Sequence, residues 1–193
     1  NSPATPLFQK GSQLYFYHQA RAADKTLPLV VCEGYMDVIS PARLGIHNVV
    51  GTCGTAFTKQ QMILLKKITN HLVIWRDNDA AGENSFARAL PDLLSEGFKV
   101  DRAKYEGKDP DAWVQSLPFK NNIQCLDKPV AEDALVYHAS KMWQNAGDMY
   151  SKASAKTEIL KLIVCISNDI LRNKWKFTGY VTSDCWAVDD FFR

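Results

Sequence analysis

Three short acidic segments are where this chain could do chemistry: Glu33-Gly34-Tyr35-Met36-Asp37, Asp77-Asn78-Asp79-Ala80-Ala81-Gly82 and Glu106-Gly107-Lys108-Asp109-Pro110-Asp111. The first two each directly follow an apolar run that reads as a buried strand, and the third follows a more mixed run. Strands of a parallel sheet end on one common edge, so carboxylates placed just past them converge. At ~4 Å and an effective dielectric of ~20, each unneutralised carboxylate pair costs about 4 kcal/mol. A fold that gathers so many therefore gathers them around a cation. Oxygen ligands without His or Cys suit Mg²⁺ or Mn²⁺ rather than zinc.

Each candidate has a plainer account beside the chemical one. Gly34 frees the backbone to turn and leaves Glu33 at the sheet edge, although a Glu after a strand is also an ordinary solvated loop residue. Asp37 lies about one helical turn further on the same side, or is a first-turn acid favoured by the helix dipole. Asp77 and Asp79 can reach one ion from a single loop; the competing account is an Asx turn with Asp79 capping the next helix. Nothing after Gly82 continues a ligand series, so an EF-hand is excluded. Asp109 and Asp111 repeat the spacing, but Lys-Asp-Pro-Asp is equally a turn and helix start. Gly51 to Ala56 either turns backbone N–H groups toward a phosphate or is a tight strand-to-helix turn, and it lacks the ending of a Walker loop. The basic candidates are Lys10, Arg43, Lys66, Lys67, Arg76, Lys104 and Lys108. Arg76 directly precedes the acidic pair and can offset its charge or hold a substrate phosphate.

These residues need strands and helices to place them. Leu29 to Cys32, Asn48 to Val50 and Leu72 to Trp75 read as short buried strands, and Lys99 to Lys104 as an edge strand with weak alternation. Helices are expected over 12–23, from about Tyr35 with Pro41 disturbing it, and over 80–95 with Gly97 as an αL cap. Thr58 and Gln61 have capping-box spacing ahead of the stripe Met62, Leu65 and Ile68. The alternation indicates an α/β fold with a parallel sheet of about four strands flanked by helices. Residues 1–26 form a lead-in and helix, 27–118 the α/β unit and 119–193 a small helical subdomain. In that last part Glu132 to Gln144 is a plausible helix partnering the stripe Ile159, Ile163, Ile166 and Ile170.

Of the 193 residues, 46% are apolar, which supports a core, and the net charge of +2 confines any nucleic-acid surface to a local patch. Five scattered cysteines without a CxxC pair argue against zinc ribbons and disulfide frameworks, and Cys32 and Cys165 read as core residues in a reducing compartment. No run is long enough to span a membrane and no signal peptide is visible, so a piece of a longer cytoplasmic protein is expected.

The three segments, in this order and at these intervals, resemble the Toprim domain of bacterial DnaG-type primases. Glu33 to Val38 is similar to the family's Glu-Gly-Tyr-Met-Asp-Val motif, Gly51 to Thr58 to its Gly-Thr-Ala-x-Thr turn, and Asp77 to Gly82 to its Asp-Gly-Asp-Ala-Ala-Gly motif with Asn78 in place of Gly. Glu106 to Asp111 matches its Glu-Gly-Lys-Asp-Pro-Asp segment, and Asn1 to Tyr15 looks like the stretch before Toprim. Pro41 and Asn78 depart from the pattern, and residues 125–193 match only its general helical character.

The resemblance implies DNA-directed RNA primer synthesis by Mg²⁺-dependent nucleotidyl transfer, with Mn²⁺ able to substitute and no zinc in this stretch. By it, Glu33 is the catalytic acid/base, Asp77 and Asp79 the principal metal ligands, and Asp37, Asp109 and Asp111 complete the cluster. Lys10, Arg43, Arg76 and Lys108 are the expected contacts to nucleic acid or nucleotide. The partners implied are a single-stranded DNA template, ribonucleoside triphosphates and a replicative helicase, with no membrane. The family's zinc-binding domain and basic N-terminal core are not in the sequence, so weak or absent synthesis is expected of these residues alone. Two other readings remain: Toprim nuclease or topoisomerase chemistry, and a non-catalytic module that binds nucleic acid or a helicase. A receiver domain expects adjacent acids after its first strand, which Glu33-Gly34 does not supply.

Overall fold

Four apolar runs become the parallel core of one sheet. The computed structural model describes residue 5 and residues 9–54, 57–117 and 131–169, with the side chains of 165–169 excepted. The rest of the 1–8 lead-in, Thr55 and Ala56, the polar stretch 118–130 and everything from Ile170 onward lie outside the described residues, as do Cys125 and Cys185 and the side chains of Cys165 and Ile166. The strands are β1 (Leu29–Cys32), β2 (Val49–Gly51), β3 (His71–Ile74), β4 (Lys99–Ala103) and β5 (Ala131–Asp133), in the order β2-β1-β3-β4-β5. The first four pair in parallel, and β5 adds antiparallel to β4.

Because successive strand side chains point to opposite faces, β1 feeds two cores at once. Leu29 and Val31 join Leu72, Ile74 and Val100 on one face, and Val30 and Cys32 join Val49, Val73 and Trp75 on the other. The first face is covered by α1 (Tyr17–Ala22), α3 (Lys59–Lys66) and α4 (Ala80–Ser95), through Ala20, Met62, Leu65, Phe86 and Leu90. The second is covered by α2 (Met36–Arg43) and α5 (Pro110–Ser116), through Val38, Trp113 and Val114. The chain moves from β1 outward to β2, then crosses back past β1 to β3, so right-handed connections must carry α2 and α3 over opposite faces. The carboxyl ends of β1 and β3 therefore flank a crevice.

Local signals fix most element ends. Thr58 accepts from the Gln61 N–H at 3.1 Å while the Gln61 side chain accepts from the Thr58 N–H at 3.3 Å, a complete capping box. α4 ends in a Schellman motif: Gly97 has φ +76°, its N–H donates to Leu94 C=O at 2.9 Å, and that of Phe98 donates to Leu93 C=O at 3.1 Å. Pro41 sits buried near the end of α2, which runs on to Arg43 despite the hydrogen bond that Pro41 cannot donate to Asp37 C=O.

Three expectations are corrected. Residues 13–16 are not helical: Lys10–Ser12 form a 3₁₀ turn, and Tyr15 pairs antiparallel with Gly51 on the outer edge of β2. β4 is not an edge strand, because β5 covers it. Glu132 belongs to that fifth strand, and the helix following it, α6 (Ala134–Asn145), starts at an N-cap from Asp133. Cross-strand pairing explains the switch: Arg102 opposes Glu132 in register and reaches it at 3.3 Å. α6 packs on α4 and β4, and α7 (Met149–Asp169) packs on α4 and α6 with Ile159 buried. Among the described residues no helix is long and apolar enough to cross a membrane.

Gln61 ties the lead-in to this scaffold. Its buried Nε2 lies within hydrogen-bonding distance of the carbonyls of Lys10 (3.2 Å), Gln13 (2.9 Å) and Thr52 (3.0 Å). Replacing Gln61 with Ala removes the donor that these carbonyls share and opens a cavity, so the expected loss is about 2–4 kcal/mol. Urea unfolding measures it; a loss below about 0.5 kcal/mol would mean that water replaces the amide.

Candidate active site

The parallel register decides which side chains meet. Leu29, Val30 and Val31 pair with Leu72, Val73 and Ile74, and the Trp75 N–H continues the ladder to Val31 C=O at 2.9 Å. Two further steps set Glu33 opposite Arg76. There Arg76 Nη1 donates to Glu33 Oε2 at 3.0 Å. The Arg76 side chain is only 4% exposed, and burial lowers its pKa while Glu33 raises it. Its guanidinium carbon lies 5.3 Å from the centre of the Phe57 ring. Nε and Nη2 are buried without a hydrogen-bond partner among the described residues. Arg76 thus pairs with Glu33 rather than with the Asp77 and Asp79 that it directly precedes.

The other acids are held by their own loops. Asp37, in the first turn of α2, accepts from the Gly34 N–H at 2.9 Å, and burial followed by the charge of Asp109 raises its pKa. Asp79 caps α4 by accepting from the Gly82 N–H at 2.8 Å. Gly82 is required there, because a Cβ would meet the Asp77 carbonyl oxygen at 2.2 Å. Asp109 caps α5 through the Ala112 N–H at 2.7 Å, the plain helix-start account of that segment. Asp111 accepts from Ser40 and, at 2.9 Å, from Gln115, which locks α5 to α2.

Asp77 differs from all of these. Burial, then the charges of Asp37, Glu33, Asp109 and Asp79, push its pKa up to about 6. No hydrogen bond from the described residues appears among the causes that could offset them. The acidic segments therefore share one electrostatic field, centred on Asp77. They do not share a preformed cage: among the described residues no three His, Cys, Asp or Glu side chains converge closely enough to hold an ion. The reason is visible in the bonds above, since Arg76, three helix starts and Ser40 each engage an acid. The donor set is still all carboxylate oxygen, and a cation beside Asp77 would relieve the repulsion that raises its pKa, so the chemistry fits a hard divalent ion.

Asn78, the departure within the second segment, does not obstruct the site. Its N–H donates to Lys108 C=O at 2.8 Å, and its Nδ2 to Tyr105 C=O at 3.2 Å and Gly107 C=O at 2.9 Å. Its Oδ1 accepts from Arg102 Nη2 at 3.4 Å. The side chain thus fastens the Asp77 loop to the loop that carries Asp109. Sequence reasoning missed this tie and the aromatic support behind it. The Tyr105 hydroxyl donates to Arg76 C=O at 2.7 Å, and Trp75 stacks edge-on against Tyr105 and Trp113 with ring centres 5.7 and 5.3 Å away. An Asn among Gly-rich acids and three aromatics near the strand ends were the available signals.

The basic candidates separate. Burial raises the pKa of Cys53, and the charge of nearby Lys10 partly opposes this. Lys108 is exposed on the loop that Asn78 holds. Arg43 is exposed at the far end of α2, away from that edge. The Gly51 to Gly54 turn spends its N–H groups internally: Thr52 donates to Cys32 C=O at 3.1 Å and Cys53 to Glu33 C=O at 2.9 Å.

Residues 30–114 match the Toprim-like family model. The DNA primase of Clostridium acetobutylicum is 33% identical over 180 residues, which cover 90% of this chain and 30% of that protein. The solved structure of a DnaG catalytic core is similar with a TM-score of 0.73 and 27% identity, over 99% of this chain and 60% of the other. A DnaG primase catalytic domain bound to ssDNA is similar with a TM-score of 0.68 and 28% identity, over 93% and 61%. The chain spans less than a third of the length of the curated relatives it matches.

The raised pKa of Asp77 has a sign that can be tested. In the folded protein the carboxyl holds its proton to about pH 6, and in the unfolded chain only to about pH 4. The folded state therefore binds more protons between these values, so Asp77 costs stability increasingly as pH rises through that window. Asp77→Asn should stabilise the metal-free protein at pH 7.5 by about 1 kcal/mol, after discounting for solvent screening of a half-exposed group. Thermal melts should show the gain shrinking toward pH 4; a gain that does not change with pH would contradict the assignment.

Proposed function

The chain belongs to the DnaG-type primase family, within its Toprim-containing catalytic core, and from that membership we propose that it serves DNA-directed RNA primer synthesis in DNA replication. The observation that carries the reading is the acidic edge itself. Glu33, Asp37, Asp79 and Asp109 come from three separate segments, and the charges of all four act on one carboxyl, that of Asp77. Such an edge suits nucleotidyl transfer, in which a 3′-hydroxyl attacks the α-phosphate of an incoming ribonucleotide and pyrophosphate leaves.

Mg²⁺, or Mn²⁺ in its place, would neutralise charge on the attacking and leaving oxygens when bound. Asp77 and Asp79 are the proposed principal holders, with Asp37, Asp109 and Asp111 around them. Glu33 is the proposed acid/base for the hydroxyl proton, with ligation of the ion as its alternative role. Lys10 and Lys108 are the proposed contacts to phosphates of nucleotide or template. The structure of a relative bound to ssDNA supports a single-stranded template as partner. Ribonucleoside triphosphates, a replicative helicase and a cytoplasmic setting belong to the same proposal. Because the chain is a minor part of its relatives' length, these residues alone should bind cation and make primers poorly.

Topoisomerase chemistry finds no support in Tyr105 or Tyr137: a lowered pKa is one way to activate a phenol, whereas burial raises that of Tyr105 and pushes that of Tyr137 up to about 12.

In the intact parent protein, Asp77→Ala with Asp79→Ala should abolish template-directed primer synthesis, by at least about 10³-fold, and leave retention of single-stranded DNA largely intact. Synthesis at the unaltered rate would favour a non-catalytic binding module, and Mn²⁺-dependent nicking of supercoiled DNA in its place would favour the nuclease reading.

A further inference from the structure

On the α1, α3 and α4 side of the sheet, α3 borders a groove that the chemistry of the acidic edge does not use. The groove has a volume of about 460 Å³ and is lined by Lys59, Met62, Ile63, Lys66, Lys67 and Glu96. Positions 59, 63, 66 and 67 recur at helical spacing, which puts three cations and Ile63 on one face of α3. Ile63 is 57% exposed there, beside buried Met62. Lys66 holds its Nζ 4.1 Å from the centre of the Phe98 ring. Among the described residues no carboxylate forms an ion pair with Lys59 or Lys67, although Glu96 lines the same groove. The helix dipole accounts for Lys66 and Lys67 at the C-terminal end of α3, but it disfavours Lys59 in the first turn. An apolar floor among three cations suits a chain segment that is acidic and apolar at once.

The sequence carries such a segment. Residues 184–192 read Asp-Cys-Trp-Ala-Val-Asp-Asp-Phe-Phe, three acids and three aromatics with no basic residue. Their carboxylates match the three ammonium groups in number, and their rings match the apolar floor. Reach is sufficient: the span from Asp169 to Asp184 extends to about 50 Å, against a diameter of about 40 Å for a compact domain of this size. α7 also packs on α4, whose C-cap Glu96 lines the groove. Linkage within one chain supplies an effective concentration on the order of millimolar, so a weak contact is enough. We propose that residues 184–192 dock in the α3 groove, with Asp184, Asp189 and Asp190 against Lys59, Lys66 and Lys67 and the aromatic rings against Ile63. The docked segment gives Lys66 and Lys67 a partner within the chain and closes this face to nucleic acid, whose phosphates would otherwise meet three cations. This contact is separate from primer synthesis and does not rest on the cation chemistry of the edge.

The test is zero-length carbodiimide coupling of the whole chain at low ionic strength, with the linked peptides identified by mass spectrometry and monomer separated from covalent dimer. Amide links are expected within one chain, from Lys59, Lys66 or Lys67 to Asp184, Asp189 or Asp190. Two variants leave every coupling partner in place: Ile63→Asp, at an exposed position, and Trp186→Ser with Phe191→Ser and Phe192→Ser. Each should lower the yield of these links by about fivefold or more, because a contact held by effective concentration has little affinity to lose. Thermal melting identifies the folded variants, and either one suffices for the comparison. Absence of the links from the unaltered chain would overturn the proposal, as would yields that a folded variant leaves unchanged. Links confined to the covalent dimer would overturn it in favour of a second copy as the occupant. Loss of the links on adding oligothymidylate, with both folded variants still coupling fully, would give the face to nucleic acid instead.

Discussion

The alignment of β1 against β3 is the constraint from which the rest of the site follows. Parallel strands have a fixed register once their inward residues are buried, because a slip by one place would turn every core residue to the wrong face. Val30 and Val31 are fully enclosed on opposite faces, so no such slip is available. That lock sets Glu33 beside Arg76 and puts Asp77 one step beyond, at the point where the connecting helices part to opposite sides. The charge pattern of the edge is thus inherited from hydrophobic packing several residues away.

Around that lock the acids occupy different energetic states. Asp79 and Asp109 sit at helix starts, where backbone N–H groups satisfy them, and Asp111 bonds to side chains of two helices. Asp77 has the field of its neighbours without an equivalent donor, and its carboxyl is correspondingly hard to ionise. Stability and chemistry therefore conflict at one residue, as is usual where a fold keeps a polar group available for a ligand. Asn78 is the compensation: it spends its backbone N–H and both ends of its side chain on holding the loop in place.

What the sequence revealed follows from how local each signal is. Leu29 to Cys32 and Leu72 to Ile74 were legible because strands buried on both faces need unbroken apolar runs, and α4 because Asp79 and Gly97 mark its two ends. The acidic segments were legible as ordered motifs. Residues 13–16 were misread because Leu14, Tyr15 and Tyr17 imitate a helical stripe, while a partner 36 residues away, Gly51, draws Tyr15 into the sheet. Glu132 was misread for the same reason, its pairing with Arg102 being invisible to any window along the chain. The sequence could also place Arg76 beside acids without saying which acid would claim it. That depended on strand register, which no motif states.

The pairing of Tyr15 with Gly51 and of β5 with β4 has a consequence for how the molecule behaves in a crowded solution. Each would otherwise leave a row of open backbone donors and acceptors at one side of an apolar sheet, a template on which a second chain could grow. One margin is stitched by a two-residue bridge, and the other ends in a three-residue strand carrying Glu132 and Asp133, too short and too charged to recruit another. The two outermost ribbons thereby leave a sheet rich in Val, Ile and Leu with little open margin for edge-to-edge pairing.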